Sequence, residues 1–358
     1  MKQKIKIALE LLLNRLSEEN TRRVSLGFSH FKKQLSVAYK KQSWKIRLIH
    51  LCDFIIVRTN GFRFIEFELT NICNAQCIFC PYPDMLRTEK KFMNMTSETL
   101  AMNSKKLSHF KNAMVSFTPT TGDTLLHPEW PAFIASIMAV PQVKQTTFFT
   151  NAIKLDIENQ HKLIDLLKHD NHLKMSQLYF SIGGLNRTDY KTLYKVDRFD
   201  LVIEQINSFL LLLLENNLTT GIHLHLKMLR ANDFKLAEAI SLLNKNKYPF
   251  LYISHSHLYY SNDGYNRNAQ IAYYHKVPIE KTKACSYLYK TRFAADGSIW
   301  ADGCVISEMP GDSSLRLGSA SDSLTVIEAA RTKIIADWEQ QSLIPKPCQG
   351  CTVYHCKK

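Results

Sequence analysis

From residue 62 onward the chain alternates between two periodicities. Apolar and polar residues change places every second position over Phe62–Thr70, Ala113–Thr118, Gln145–Thr150, Gln177–Ile182, Gly221–Met228 and Pro249–His257. Such alternation, with aromatic and β-branched content, predicts β-strands. Between these runs the apolar positions fall at helical spacing, as in Ile157–Lys168, Leu201–Glu215 and Phe234–Asn244. Thr96 opens another helix with Glu98 in its first turn, where a carboxylate suits the helix dipole. Strand followed by helix, six times over, predicts an α/β fold built on a parallel sheet. Right-handed crossovers then bring every strand's C-terminal end to one rim.

The two flanks read differently. Residues 1–60 predict a helical extension: Ile5, Leu9, Leu12, Leu13 and Leu16 share one face, followed by Phe28, Phe31 and Leu35 and by the apolar stretch from Leu48 to Val57. Residues 263–283 are polar and basic and read as a linker. Beyond it, Thr291–Trp300 predicts a hairpin turning at Asp296-Gly297, and Thr325–Gln340 a helix.

Composition narrows the class. With 358 residues and 45% apolar content the chain can build a large core, so disorder is excluded as a default. Nine cysteines in a chain of this length do not make a small disulfide scaffold. Their grouping points to metal binding in a reducing compartment. Glu10 interrupts the N-terminal apolar run and no small-residue cleavage site follows, so no signal peptide is expected. The apolar run Phe209–Leu214 is too short to span a bilayer, and a cytoplasmic protein is expected. Of the net charge of +14, a surplus of nine lies in residues 1–60. That segment can be a solvated face, or dock on the rest of the chain, a partner or an acidic membrane surface.

The candidate chemistry begins just past the first strand. Cys73, Cys77 and Cys80 stand as C-x3-C-x2-C in the loop after Thr70, at the end of a strand where α/β folds keep their ligands. Three thiolates are one short of the four that surround a cubane iron–sulfur cluster, so one iron would stay open. Zinc sites usually show two C-x2-C pairs or a mixture with histidine, and the triplet has neither. Along the fifth strand His223, His225 and Lys227 alternate and share a face. His255 and His257 do the same on the sixth, and both sets are candidates to line a barrel interior.

The triplet, with Phe79 before its third cysteine, resembles the radical S-adenosylmethionine (SAM) superfamily. The resemblance implies a partial (β/α)6 barrel over residues 61–262, a [4Fe-4S] cluster on Cys73, Cys77 and Cys80, and SAM chelating the open iron. Further segments match in order. Thr121-Gly122-Asp123-Thr124 stands where the family has Gly-Gly-Glu-Pro, departing at three positions. Thr150-Asn151-Ala152 resembles Thr-Asn-Gly, and Ser181-Ile182-Gly183-Gly184 resembles Ser-Ile-Asp-Gly without its acid. By this resemblance Phe79, Thr121, Gly122, Asp123, Asn151 and Ser181 are expected to contact SAM.

Residues 284–358 resemble the twitch domain, a shortened SPASM domain. Cys285 and Cys304 flank the predicted hairpin, and Cys348 and Cys351 form a C-x2-C pair after the helix. The resemblance implies a second, auxiliary [4Fe-4S] cluster on these four, with Cys356 spare. A structural zinc is the other reading of the four thiols, and Cys52 reads as a small buried hydrophobe. The expected activity is SAM-dependent dehydrogenation or epimerisation of a sugar, aminocyclitol or similar polar metabolite, with reduced flavodoxin or ferredoxin as electron donor. A maturase for ribosomal peptides is the alternative. A zinc-containing nucleic-acid-binding protein is the alternative from another class, though nucleic acid is not the expected partner.

Overall fold

A computed structural model describes residues 63–80, 82–86, 91–118, 120–170, 174–218, 220–228, 235–243, 248, 251–257, 281–301 and 312–349. The predicted N-terminal extension, most of the linker, and Cys52, Cys304, Cys351 and Cys356 lie outside them.

Among the described residues nine strands make one sheet. They are β1 (Arg63–Phe67), β2 (Ala113–Phe117), β3 (Val143–Thr150), β4 (Met175–Gly183), β5 (Gly221–Met228), β6 (Leu251–His257), β7 (Thr291–Phe293), β8 (Ser298–Trp300) and β9 (Arg316–Ser319). Their order is β6-β5-β4-β3-β2-β1-β7-β8-β9. Strands β2 to β6 pair successively in parallel, as the strand–helix alternation predicts, and the fold is a partial (β/α) barrel.

Helices fill the crossovers: α1 (Tyr82–Met85), α2 (Ser97–Leu107), α3 (Trp130–Met138), α4 (Ile157–Lys168), α5 (Arg187–Tyr194), α6 (Phe199–Glu215) and α7 (Leu236–Leu242). After the hairpin come α8 (Leu324–Gln341) and α9 (Lys346–Gln349). Local chemistry starts several of them. Thr96 caps α2 through Thr99 N, Asp156 caps α4 through Asn159 N, and Asn186 caps α5 through Asp189 N. Each side-chain oxygen satisfies an N–H that the first helical turn leaves without a partner. Among the described residues no helix is long and apolar enough to cross a membrane.

Each barrel strand has two unlike faces. On one, Phe117, Phe148, Leu178 and Ile222 lie in register across β2 to β5 and are fully buried. The helices pack here, Phe209 of α6 meeting Phe180 edge-on at 5.9 Å and Trp130 of α3 meeting Phe148 at 5.8 Å. The inner face carries Tyr179, Ser181, His223, His225 and Lys227 in the alternate positions.

The hairpin forms where the sequence predicts it, with Gly297 at φ +81° supplying the left-handed turn residue. Its strand β7 also pairs in parallel with β1, so the C-terminal segment extends the barrel's own sheet. Glu68, just after β1, and Arg292 of β7 make a buried ion pair at 3.5 Å.

Candidate active site at the strand rim

The loop that carries Cys73, Cys77 and Cys80 is held mainly by backbone. Gln76 N donates to Tyr194 O at 3.0 Å and Ile78 N to Leu193 O at 2.9 Å. These are carbonyls at the end of α5, which a helix leaves without an internal partner. At the loop's entrance the Asn71 side chain receives Met93 N at 2.7 Å and donates to Lys91 O at 3.2 Å. The loop is thus clamped from two sides before any ligand arrives.

The three thiols are close enough to influence one another. Burial pushes Cys73 up to about 12, with the nearby Asp123 adding to it. Burial does the same to Cys80, also to about 12, against the pull of the Tyr82 N–H and of Lys227. Cys77 is raised well above its ordinary value by burial and then by the other two cysteines. Thiols gathered in this way resist ionising together until a cation compensates them. Among the described residues no three His, Cys, Asp or Glu side chains converge on a point that could hold a single metal ion. A cubane sets a different demand, since each of its cysteines reaches its own iron. Three buried thiols in one clamped loop fit such a cluster, with the fourth iron left for another ligand.

The rim segments picked out from the sequence meet here in two groups. In the first, the Asp123 carboxylate accepts from Leu125 N at 3.0 Å, from the Thr150 hydroxyl at 2.9 and 3.0 Å, and from Asn151 N at 2.7 Å. The Asn151 amide then donates to Asn74 Oδ1 at 2.8 Å and lies 3.9 Å from Cys73 Sγ. The loops after β2 and β3 are therefore tied to each other and to the cysteine loop. Asp123 is 2% exposed, and its oxygens are taken up by these four bonds. Thr121 beside it is also buried.

Gly122 has φ +112°, and a Cβ there would stand 2.5 Å from Thr70 O. The sequence assigns this glycine to close approach of a ligand; the protein's own backbone already requires it. Ala152, where the resemblance leads one to expect glycine, takes φ +61°, a conformation that strains any residue with a Cβ.

The second group links Phe79 to Ser181. Phe79 meets Tyr194 of α5 edge-on at 5.8 Å, and the Tyr194 hydroxyl donates to Ser181 O at 2.9 Å and Oγ at 3.2 Å. The same ring accounts for the acid missing at position 183. A Cβ on Gly183 would lie 2.6 Å from Tyr194 Cδ2, so this chain has an aromatic ring where a side chain would need room. Lys227 Nζ completes the group, 5.7 Å from the Phe79 ring centre. Burial lowers its pKa and the charges of Cys77 and Cys80 raise it, so the amine lies near two of the cysteines.

Below this rim the inner face descends in registered rows. Ser181, His225 and Ser254 form one row across β4, β5 and β6, with a hydrogen bond between His225 Nδ1 and Ser254 Oγ at 2.9 Å. The next row is a ladder of four rings. Phe149 stacks on Tyr179 at 4.2 Å, Tyr179 on His223 at 4.4 Å, and His223 on Tyr252 at 4.8 Å.

The register corrects one expectation. His255 pairs with Leu226 and so occupies the face opposite to His225, while the backbone of His257 pairs with Met228. The sixth strand instead contributes Tyr252 and Ser254 to the interior row positions. Tyr194, Tyr179 and Tyr252 escape a sequence reading focused on cysteines and turn motifs. Period-two alternation in β4 and β6 carries the signal for the last two, whereas Tyr194 looks like any core aromatic of an amphipathic helix.

In the C-terminal segment Cys285 is buried and Cys348 partly buried. Lys281, four residues before Cys285, donates to Cys348 O at 2.6 Å and Gln349 O at 2.7 Å. The chain leading to one cysteine thus touches the turn that holds the other.

Comparison with known proteins identifies the family. No curated protein matches the chain. Among solved structures, native anSMEcpe with bound AdoMet is similar, at 14% identity and a TM-score of 0.51, covering 77% of this chain and 83% of that one. BtrN in complex with AdoMet and 2-DOIA is similar at 14% identity and 0.47, over 83% and 96% of the two chains. Streptococcus suis SuiB bound to S-adenosylmethionine follows at 11% and 0.48, over 96% and 89%. At these identities the likeness is one of fold. The model of the Radical SAM superfamily matches residues 67–254, more than half of the chain and the whole stretch from β1 into β6. The chain with three clamped thiols at its strand rim belongs to the radical SAM superfamily.

Proposed function

We propose that this chain is a SAM-cleaving enzyme that takes hydrogen from a carbon of a small polar metabolite and leads it to dehydrogenation or epimerisation. The observation that carries the reading is the placement of Lys227, Ser181, His225 and Ser254 on the inner face beneath the three thiols. Parallel sheets buried on both sides usually present apolar side chains on both. Here the inner rows are hydroxyl, imidazole and ammonium groups, which suit a hydroxylated or anionic molecule.

Cys73, Cys77 and Cys80 would hold the [4Fe-4S] cluster that the family implies, and its open iron the amino acid end of SAM. With both bound, the group would supply reductive SAM cleavage and, through it, hydrogen abstraction from the substrate. The protein's share is placement. The backbone at Thr121, Gly122 and Asp123 would receive the SAM ammonium group, and Asn151 and Ser181 its polar periphery. Phe79 would pack against the adenosyl portion. Lys227, whose amine stands over the Phe79 ring, would supply a counter-charge to an anion in the barrel.

Cys285, Cys304, Cys348 and Cys351 would hold an auxiliary [4Fe-4S] cluster. Such a cluster can accept the electron that turns hydrogen abstraction into net oxidation. The contact from Lys281 to Cys348 O supports the approach of the two halves of this set. A reduced flavodoxin or ferredoxin would serve as donor.

The test is anaerobic reconstitution followed by iron counting and detection of 5′-deoxyadenosine from SAM and reductant. Roughly eight irons per chain, falling to about four with loss of SAM cleavage in the Cys73/Cys77/Cys80→Ala variant, are expected. Phosphorylated sugars and aminocyclitols should raise 5′-deoxyadenosine production. A loaded cluster that never cleaves SAM would overturn the reading, and stimulation by a short peptide alone would move the substrate to the maturase class.

A further inference from the structure

Among the described residues the Tyr190 hydroxyl is a buried donor with nothing to donate to. The residue is 0% exposed, and among the described residues its oxygen has no hydrogen-bond partner. A buried tyrosine normally finds one, because a hydroxyl removed from water without a replacement bond costs about 1–3 kcal/mol. Phenylalanine would fill the same space without that cost. The ring is also held firmly. It stacks on Tyr194 at 4.8 Å with 16° between planes and packs against Phe199 at 5.8 Å. Aromatic rings on two sides leave few polar groups to anchor a water, which needs two to four partners.

Its surroundings point to one acceptor. Tyr190 sits one helical turn before Tyr194, and α5 ends in the carbonyls that clamp the cysteine loop. After burial itself, the charges of Cys77, Asp123 and Cys73 oppose the phenol's ionisation, so all three groups lie near it. Asp123 already accepts from Leu125 N, Asn151 N and the Thr150 hydroxyl, and the Tyr190 hydroxyl makes no bond to it. What remains is sulfur, in the thiolates and in the inorganic sulfides that arrive with a cluster.

We infer that the Tyr190 hydroxyl donates a hydrogen bond to a sulfur of the iron–sulfur centre held by Cys73, Cys77 and Cys80, and thereby raises its reduction potential. The inference rests on the proposed cluster. Its physical basis is that reduction adds negative charge, and a fixed donor stabilises the more negative state. Tyr190 is then a positioning and tuning residue: it touches the cofactor's sulfur but takes no part in bond making.

The experiment uses the reconstituted full-length chain and its Tyr190→Phe and Tyr194→Phe variants. Each is titrated with reductant and followed by electron paramagnetic resonance, using the reduced signal that changes on adding SAM. The expected result is equal iron content in all three, with the potential of Tyr190→Phe shifted to more negative values. Tyr194→Phe should stay at the parent's potential, because its hydroxyl is already committed to Ser181. The iron-free Tyr190→Phe protein should melt at the same or a higher temperature than the iron-free parent, having lost an unsatisfied group. An unchanged potential at full iron loading would overturn the inference while leaving the cluster in place. An equal shift in Tyr194→Phe would overturn it too, since packing alone would then explain both. A parent chain that binds no iron would sink the cluster assignment itself, a failure visible before any variant is compared.

Discussion

The two faces of strands β4 and β5 share a backbone and differ in nearly everything else. On the helix face Leu178, Phe180 and Ile182 stand opposite Ile222, Leu224 and Leu226, all 0% or 1% exposed. On the inner face Tyr179, Ser181 and Gly183 stand opposite His223, His225 and Lys227. The first set removes apolar surface from water, at about 25 cal/mol per Å2, and drives folding. The second places polar groups inside a barrel, where they cost desolvation, and Lys227 and His225 both have lowered pKa values for that reason. Stability and chemistry are thus divided between alternate residues of the same strands.

That division can be broken from either side. The largest effect is expected from the helix face: Phe180→Ala should lose about 3–5 kcal/mol of stability, because Phe180 is fully buried against Phe209. Its neighbour Tyr179→Phe, on the inner face, should lose about 1 kcal/mol or less, the value of its bond to Gln177 Oε1. Denaturant unfolding of the two variants checks the contrast, and equal losses would contradict it.

A middle-sized effect is expected from pH. Burial, followed by Lys227, His223 and His255, lowers the His225 pKa from 6.5 to about 3. The folded state therefore takes up its proton less readily than the unfolded chain does. The stability this neutral imidazole contributes is complete above about pH 6.5 and is lost as pH falls toward 3, by about 1.4 kcal/mol per unit. Unfolding measured from pH 7 to pH 4 should show a shallower acid limb in His225→Gln than in the parent chain. Superimposable limbs would place His225 outside this desolvated row.

The smallest effect should come from Lys227→Met. Replacing a desolvated ammonium by an apolar side chain of similar length removes an unfavourable charge, while the contact over Phe79 at 5.7 Å gives up about 0.5–1 kcal/mol. Thermal unfolding of the iron-free protein should move little in either direction. SAM or substrate affinity in the loaded enzyme should fall at least about tenfold, as loss of a hydrogen-bonded counter-charge costs about 1.5–3 kcal/mol. A large loss of stability would mean that Lys227 belongs to the core and not to the site.

Much of this molecule was legible in its residue pattern. The six barrel strands, the start of α2 at Thr96 and the hairpin at Asp296-Gly297 all follow from local rules of period, capping and turn chemistry, which act within a few residues. The three-cysteine loop was legible for the same reason, being contiguous in the chain. What reached across the chain was harder to read. The glycine at 122 is demanded by the carbonyl of Thr70, and the missing acid at 183 by the ring of Tyr194. Both constraints join residues that meet only when strands and helices pack.

By itself, then, the sequence determined the α/β architecture and the position of the cysteine loop, because these rest on periodicity and on spacing along the chain, and its cysteine motif carried the resemblance to the superfamily. Only the tertiary structure decided which histidines face inward, since strand register assigns faces and moves His255 away from His225. It also decided that Asp123 is consumed in joining the loops after β2 and β3, and that the β7 hairpin strand extends the barrel's sheet through β1. Those outcomes depend on distances between segments remote in sequence, and the packing of the core sets such distances.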